Sequence, residues 1–171
     1  MDYTIEYVSP LGVITLASDG TTLLGLWFSG QKHYCTRLHM PCMDGSDLPV
    51  LQKTVRWLDA YWHGEAPSPI DIPLAPRGTA FQHKVWRLLA DIPYGCCVTY
   101  GELARQYAET EGISKMSAQA IGGAVGRNPI SIIIPCHRVL GANGQMTGYA
   151  GGVWRKEALL RHEGWRQPQK K

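Results

Sequence analysis

The sequence has no long hydrophobic run, no internal repeat and no low-complexity segment. Residues 1–6 carry acidic side chains and lack the apolar core of a secretory signal, and no stretch approaches the length that spans a bilayer. We therefore expect a cytoplasmic protein with no membrane partner. With 171 residues, 44% of them hydrophobic, the chain can bury a core in one domain or in two small ones, and only residues 167–171 are expected to fray.

Cysteine is scarce and poorly spaced for disulfides. The five cysteines make an odd set, and Cys96 and Cys97 are adjacent, which is poor geometry for a disulfide framework, so a reducing compartment is expected. Two of the five cysteines lie close to two histidines and form a set of four candidate metal ligands: His33, Cys35, His39 and Cys42. They lack the paired C-x-x-C spacing of a strong zinc signal, so we interpret this segment as a polar loop and expect no metal.

Charge is divided unevenly along the chain. Residues 1–78 hold five Lys/Arg and eight Asp/Glu, a net charge of −3, whereas residues 79–171 hold twelve and six, a net charge of +6. The cationic half is the part that could meet a polyanion. A solvated basic face would have the same charge, so charge alone does not decide between the two.

The first part of the chain predicts a β-sheet followed by a helix. Apolar alternation and one buried apolar run predict three strands: residues 3–8, 12–17 and 23–28. Apolar residues at helical spacing predict a helix over residues 49–62 that covers the sheet. Four prolines in residues 66–76 predict a linker. We expect an α/β N-terminal domain over residues 1–76, with a small antiparallel sheet plus helix of ribonuclease-H-like type.

Residues 77–171 predict a mostly helical C-terminal domain. Thr79 with Gln82, and Thr99 with Glu102, each fit the capping box that begins a helix. Four helices are expected: residues 80–91, 100–109, 117–125 and 154–163. The second and third of them suggest a winged-helix-like helix-turn-helix, which in a basic domain indicates DNA, although helical hairpins are also common packing units.

The run from residue 131 to residue 139, Ser-Ile-Ile-Ile-Pro-Cys-His-Arg-Val, carries the chemistry. Residues 131–134, a serine followed by three β-branched isoleucines, predict a short buried strand or its equivalent. A thiol is nucleophilic as a thiolate, so Cys136 needs a lowered pKa, for which His137 and Arg138 supply a base and positive potential. Adjacent side chains diverge, so proton transfer is expected to pass through a water or a bent backbone, with a third group orienting the imidazole. A buried structural cysteine is the alternative.

Residues 128–139, Asn-Pro-Ile-Ser-Ile-Ile-Ile-Pro-Cys-His-Arg-Val, resemble the active-site signature of the O6-alkylguanine-DNA alkyltransferases, also called methylated-DNA–protein-cysteine methyltransferases. The resemblance continues, in order, through most of the second domain: residues 98–104, 122–124, 148–152 and 162–164. The N-terminal domain agrees only in size and pattern. The resemblance implies direct-reversal DNA repair, in which an alkyl group moves irreversibly and once from O6-alkylguanine, and by further expectation from O4-alkylthymine, to Cys136 without a cofactor.

The same resemblance implies a role for each matched residue. Cys136 is the alkyl acceptor, His137 takes its proton through a water, and Glu163 holds the imidazole. Tyr100 donates a proton or hydrogen bond to the guanine that leaves, and Asn128 braces the turn between the recognition helix and the active-site strand. Glycine-rich backbone near the flipped base is expected to line the alkylguanine pocket. The expected pocket residues are Pro135, Met146, Tyr149, Ala150 and Gly151.

The implied partner is double-stranded DNA that contains an alkylated guanine, bound by a monomer, with the damaged base flipped into the protein. In the family the second helix of the helix-turn-helix lies in the minor groove, and an arginine finger fills the vacated stack. Here the finger position falls on Gln119, so the charge is missing although length and hydrogen-bonding capacity remain. The expected DNA contacts are Ser117, Ala118, Gln119, Ala120, Gly122, Gly123, Arg127 and Arg138.

Three other functions stay open. A non-catalytic alkyltransferase-like protein binds alkylated bases but generally lacks the cysteine, whereas this chain keeps Cys136. A helix-turn-helix transcription regulator predicts several long polar side chains on its recognition helix, whereas this helix offers mainly Ala, Gly and Gln119. A cysteine hydrolase with Cys136 and His137 as its dyad would turn over, whereas an alkyl acceptor is consumed.

Overall fold

The computed structural model describes residues 1–167, so residues 168–171 of the predicted frayed tail lie outside the described residues. The chain divides into two compact units: Met1–Arg77 together with Pro129–Ile133, and a second unit that holds the rest of the described chain. The sequence had assigned the segment Pro129–Ile133 to the second domain. None of the helices among residues 1–167 combines the length and the apolar character needed to cross a bilayer.

A four-stranded sheet and one helix form the first unit. Its elements are β1 (Tyr3–Ser9), β2 (Gly12–Ser18), β3 (Leu23–Phe28), β4 (Met43–Asp44) and α1 (Pro49–Trp62). The three predicted strands and the predicted helix are confirmed, and β1 to β3 form an antiparallel meander. The expectation of a purely antiparallel sheet is wrong, because β4 joins the sheet parallel to β1 and gives the strand order β3-β2-β1-β4. A strand of two residues is too short to give a periodic signal from which β4 could be predicted.

The proline-rich segment predicted as a linker lies along β3. The Leu23 N–H donates to the Pro73 carbonyl at 2.8 Å, and the Ala75 N–H donates to the Leu23 carbonyl at 2.9 Å. Proline cannot donate to a sheet ladder, but its carbonyl can accept, so a proline-rich segment can still pair at a strand edge. The end of this segment therefore belongs to the first unit and protects one edge of its sheet.

Residues 131–134 are buried, as predicted, but they do not form the predicted strand. The Ser131 N–H donates to the Leu26 carbonyl of β3 at 3.0 Å, and the chain then turns. Ile132 has a φ of +68°, and the Ile133 N–H donates to the Ser131 carbonyl at 2.8 Å. A β-branched residue in this left-handed region is strained by about 1–3 kcal/mol. The strand prediction failed because burial and β-branching do not reveal a turn held by its neighbours.

Four helices and a short strand pair form the second unit. Its elements are α2 (Ala80–Ala90), β5 (Val98–Thr99), α3 (Tyr100–Glu111), α4 (Ala118–Gly126), β6 (Val139–Leu140) and α5 (Val153–His162). All four predicted helices are confirmed, with each end within two residues of its predicted position. Both capping boxes are formed, in which the hydroxyls of Thr79 and Thr99 accept from the third helical N–H, and Gln82 and Glu102 accept in return. Strands β5 and β6 pair in parallel.

Helices α2, α3 and α4 pack against one another. The Trp86 indole N–H donates to the Ala124 carbonyl at 2.9 Å and ties α2 to α4. Helix α3 ends at Glu111 and is followed by Gly112, whose φ of +66° is the left-handed conformation that glycine adopts without strain. Helix α4 begins after Ser117, whose hydroxyl accepts from the Ala120 N–H at 3.2 Å. A six-residue connection, residues 112–117, therefore joins the two helices.

We predict that Gly25→Ala destabilises the first unit. A Cβ at Gly25 would lie 1.9 Å from the indole ring of Trp27, and that indole is 1% exposed, so it cannot swing away freely. Overpacking of this kind costs about 1–3 kcal/mol in the free energy of unfolding, measured by urea denaturation. The control is Gly126→Ala, where a Cβ meets nothing within 4 Å and no loss is expected. Wild-type stability of Gly25→Ala would show that Trp27 does not pack over this glycine.

Candidate active site

The signature residues lie on a tight turn. A 3₁₀ turn, Cys136–Arg138, follows Pro135 and leads directly into β6. The Cys136 N–H donates to the Ile134 carbonyl at 2.8 Å, and the Arg138 N–H donates to the Pro135 carbonyl at 3.0 Å. The backbone is therefore bent where the sequence required either a bend or a water between Cys136 and His137. All three side chains of the turn are buried.

Glu163, the residue after α5, meets two side chains of this turn. The His137 Nε2 donates to Glu163 Oε1 at 2.7 Å. The Arg138 Nε donates to Glu163 Oε2 at 2.9 Å, and its Nη2 donates to Oε1 at 2.9 Å. The carboxylate thus bonds both the imidazole and the guanidinium, and the structure brings together the predicted acceptor turn and the predicted orienting acid.

The electrostatics of this group keep Glu163 ionised and His137 neutral. Burial by itself raises the pKa of Glu163, but hydrogen bonds and charge from His137 and Arg138 outweigh it and bring that pKa to about 2. Burial lowers the pKa of His137 below its ordinary value, against the influence of Glu163. With Nε2 donating to the carboxylate, Nδ1 of the neutral ring is an acceptor. That Nδ1 is buried and has no hydrogen-bond partner among residues 1–167.

Cys136 is a protonated thiol in the resting protein. Its side chain is 6% exposed, and burial raises the pKa of the thiol above its ordinary value. A hydrogen bond from the Asn128 side chain, the charge of Lys156 and the N–H groups of Cys136 and His137 all act in the opposite direction, but they do not prevail. The expectation of a lowered thiol pKa is therefore wrong for the resting state, because the cost of burying a thiolate exceeds the help from its neighbours.

Tyr100, the first residue of α3, stands between α4 and the loop before α5. A Cβ at Gly122 would lie 3.7 Å from the Tyr100 ring, and a Cβ at Gly148 would lie 3.8 Å from its hydroxyl. The hydroxyl donates weakly to the Thr147 carbonyl, at 3.5 Å. Burial raises the pKa of Tyr100 to about 12, so the phenol keeps its proton at neutral pH and can donate it or a hydrogen bond.

Lys156 is a residue of this site that sequence reasoning missed. Its side chain is fully buried, and its Nζ donates to the carbonyls of Thr147 at 2.8 Å and Gly148 at 3.1 Å. The Nζ also lies 5.7 Å from the centre of the Tyr100 ring. Burial lowers the pKa of Lys156 to about 8. Its position on the apolar face of α5, three residues before the buried Leu159, was the signal that could have found it.

Most residues predicted to line the alkylguanine pocket lie in the loop between β6 and α5. Met146, Tyr149 and Ala150 are half-buried, and Gly151 is buried. The Gly152 N–H donates to the Tyr149 carbonyl at 2.9 Å and forms a turn at the end of the loop. Pro135 is buried directly before Cys136. Lys156 binds the carbonyls of Thr147 and Gly148 in the middle of this loop and holds that part from inside the protein.

The predicted DNA contacts comprise six exposed residues, one half-buried residue and one buried residue. The exposed residues lie at the beginning, on one face and at the end of α4: Ser117, Ala118, Gln119, Ala120, Gly123 and Arg127. Gly122 is half-buried against Tyr100. Arg138 does not reach the surface with them, because it is buried and its guanidinium bonds Glu163 and the Ile92 carbonyl. It is thus not available as a DNA contact in this structure.

A groove of about 670 Å³ lies between α3 and the beginning of α4. Arg105, Lys115 and Gln119 are among the residues that line it, whereas Cys136 is not. The groove is therefore a feature of the exposed α3–α4 face and is separate from the buried thiol. The four candidate ligands at residues 33–42 form no metal-binding cluster with other His, Cys, Asp or Glu side chains in the part of the chain that is described.

Family comparisons agree with this arrangement over nearly the whole chain. The family model for the ribonuclease-like domain of 6-O-methylguanine DNA methyltransferase matches residues 3–76, and the model for the DNA binding domain of the same enzymes matches residues 80–165. A methylated-DNA–protein-cysteine methyltransferase of Haemophilus influenzae is 41% identical over 161 residues, which cover 94% of this chain and 86% of that protein. This chain, with two domains and a buried cysteine at position 136, belongs to the 6-O-methylguanine DNA methyltransferase family.

Solved structures give the same result. The crystal structure of the Mycobacterium tuberculosis O6-methylguanine methyltransferase matches with a TM-score of 0.80 at 42% identity, covering 99% of this chain and 97% of that one. The crystal structure of Mycobacterium tuberculosis OGT in complex with DNA matches with a TM-score of 0.78 at 41% identity, covering 95% and 91%. The chain has the two-domain fold of this family, with a sheet and helix first and a helical domain second.

We predict that the resting thiol of Cys136 is unreactive at neutral pH. Because its pKa is raised, a short exposure to iodoacetamide at pH 7 should label the exposed Cys96 first, as followed by peptide mass spectrometry. The labelling rate of Cys136 should keep rising as the pH increases, since the thiolate fraction rises with it. If the labelling rate of Cys136 instead reaches a plateau below pH 7, the pKa of its thiol is lowered and the prediction is wrong. The Cys136→Ser variant identifies the Cys136 peptide, because that peptide should gain no label in this variant.

Proposed function

We propose that the protein repairs alkylated guanine in double-stranded DNA by transferring the alkyl group from O6 to its own Cys136. The observation that carries the proposal is the buried group of Cys136, His137 and Glu163, with Nδ1 of His137 left as an acceptor. Membership of the 6-O-methylguanine DNA methyltransferase family supports DNA as the substrate. The reaction is single-turnover, and no cofactor is required because the acceptor is the protein itself.

The proposed transfer begins with the proton of the Cys136 thiol. That proton passes through a water to Nδ1 of His137, and the imidazolium that forms is stabilised by Glu163 through Nε2. The sulfur then attacks the alkyl carbon in line with the bond to O6. The S–C bond forms as the C–O bond breaks, and the electron pair of that bond leaves with guanine. Tyr100, whose phenol is protonated, donates a hydrogen bond or a proton to the leaving base.

Residues 77–171 are proposed to be the DNA-binding and alkyl-transfer domain, with α3 and α4 as a helix-turn-helix of winged-helix-like type. The small exposed residues of α4 let it approach the minor groove closely, and the damaged base is flipped out toward Cys136. Residues 1–76 are proposed to be a ribonuclease-H-like domain. Asn128 is proposed as the brace between α4 and the acceptor turn, since its Nδ2 donates to the Ile134 carbonyl at 2.8 Å.

A second substrate, a monomeric state and a cytoplasmic location are also proposed. O4-alkylthymine presents the same alkyl–oxygen bond, so it is proposed as a second substrate. The protein is proposed to act as a monomer, because one chain carries both the acceptor and the exposed α4 face. A cytoplasmic location fits a DNA substrate and cysteines that must stay reduced.

We predict that a duplex containing O6-methylguanine adds one methyl group to the peptide that contains Cys136. Intact-protein and peptide mass spectrometry measure the addition, and Cys136→Ser should show none. The amount of repaired DNA should equal the amount of protein and not exceed it. Continued turnover would indicate a cysteine hydrolase, and DNA binding without any mass change would indicate a non-catalytic alkyltransferase-like protein.

We predict that Gln119→Arg tightens binding to damaged duplex several-fold at low salt. Gln119 is exposed at the beginning of α4, where an arginine would add a cation that can contact phosphate or fill the vacated stack. Fluorescence anisotropy at two salt concentrations measures the change, and the gain should shrink at high salt. Arg161→Gln, an exposed change at the far end of α5, is the control. Unchanged affinity of Gln119→Arg would remove Gln119 from the finger position.

A further inference from the structure

Arg138 is buried, although the sequence predicted it as a DNA contact. It is 9% exposed, and each part of its guanidinium has a partner. Nε and Nη2 bond the two oxygens of Glu163, both at 2.9 Å, and Nη1 donates to the Ile92 carbonyl at 2.7 Å. The ring of Tyr94 lies 5.6 Å from the guanidinium carbon. A buried guanidinium whose nitrogens are all engaged in this way is not available to bind a DNA phosphate.

The contact between Arg138 and Glu163 fixes the orientation of the Glu163 carboxylate as well as neutralising its charge. A guanidinium that donates two parallel hydrogen bonds places both oxygens of its partner in one plane, which a single charge–charge contact does not do. Here that plane puts Oε1 of Glu163 within 2.7 Å of Nε2 of His137. Oε1 thus receives hydrogen bonds from both Arg138 and His137, whereas Oε2 receives one from Arg138.

Without Arg138, the carboxylate could rotate or turn toward another donor. The Ile92 carbonyl and the Tyr94 ring anchor the guanidinium, and Arg138 shares a 3₁₀ turn with His137. The same short turn therefore supplies the imidazole and the group that orients the imidazole's partner. Which ring nitrogen of His137 carries the proton depends on where the carboxylate points.

We propose that Arg138 is a positioning residue for alkyl transfer: it locks the carboxylate of Glu163 so that His137 keeps its proton on Nε2 and presents Nδ1 to the proton of Cys136. This inference rests on the proposed function. It assigns Arg138 an action through Glu163 and His137, with no contact to DNA or to the reacting atoms. Lysine cannot replace it, because an ammonium is a point charge that cannot hold both oxygens in one plane.

The test is a double-mutant cycle on the single-turnover rate of Cys136 methylation. Wild type, Arg138→Lys, Glu163→Gln and the double variant are mixed with a duplex containing O6-methylguanine, and the methylated Cys136 peptide is quantified over time. Arg138→Lys and Glu163→Gln should each slow transfer at least tenfold. The double variant should be no more than about twofold slower than the slower single variant, because Arg138 acts through Glu163.

Two further measurements separate positioning from a general structural effect. Affinity for the damaged duplex should stay within about twofold of wild type in Arg138→Lys, since Arg138 is buried. Nitrogen-15 NMR of the histidines should show the Nε2–H form of His137 in wild type and a mixture of forms in Arg138→Lys. Arg161→Lys makes the same substitution at an exposed position of the same unit, and it should leave rate, affinity and tautomer unchanged.

The proposal is overturned if Arg138→Lys transfers at the wild-type rate, if the two variants combine multiplicatively, or if its main effect is on DNA affinity. Should Arg138→Lys not fold, Tyr94→Leu removes the ring beside the guanidinium and leaves Arg138 itself unchanged. It should then slow transfer non-additively with Glu163→Gln, and a wild-type rate would count against Arg138. If wild-type protein gains no methyl group, the proposed function fails, while the His137 tautomer in the variants still decides whether Arg138 positions Glu163.

Discussion

The buried carboxylate of Glu163 is the group on which the geometry of the site depends. An unpaired carboxylate in this position would cost several kcal/mol, so Glu163 stays buried and ionised only while donors surround it. Those donors are His137 and Arg138, and both come from one 3₁₀ turn, Cys136–Arg138. The end of α5 and the acceptor turn therefore hold each other in place. Gly164, with a φ of +81°, lets the chain turn away from the axis of α5 directly after Glu163.

The same burial sets the protonation state of Cys136. It raises the pKa of Cys136 and lowers the pKa of His137, so the resting pair is a neutral thiol beside a neutral imidazole and not a thiolate–imidazolium pair. A neutral thiol reacts slowly with adventitious electrophiles. On the proposed function this state suits a cysteine that is consumed by a single reaction. The thiol is not lost to other electrophiles before an alkylated base is bound next to it. The charge of Lys156 and the amide of Asn128 stand ready to stabilise the thiolate when it forms.

The sequence predicted the parts of the fold that local interactions decide. The capping boxes at Thr79 and Thr99 satisfy helix N–H groups within three residues, so the beginnings of α2 and α3 could be located without tertiary information. Contacts between segments that are distant in the sequence could not be predicted from local patterns. Strand β4 has two residues, and the left-handed turn at Ile132 depends on what surrounds it. The site followed the same rule: Cys136, His137 and Glu163 matched a motif, whereas the burial of Lys156 and the partners of Arg138 are consequences of packing.

The burial of Arg138 and the small side chains of α4 bear on how such a protein would select its substrate. The family resemblance implied that Arg138 contacts DNA, yet the structure buries its charge inside the protein and leaves α4 with small exposed residues and Gln119. Alanine and glycine cannot read base edges, which requires long hydrogen-bonding side chains. On the proposed function α4 therefore brings backbone close to DNA of any sequence. Selection must then occur at the alkylated base itself, through the loop that Lys156 holds.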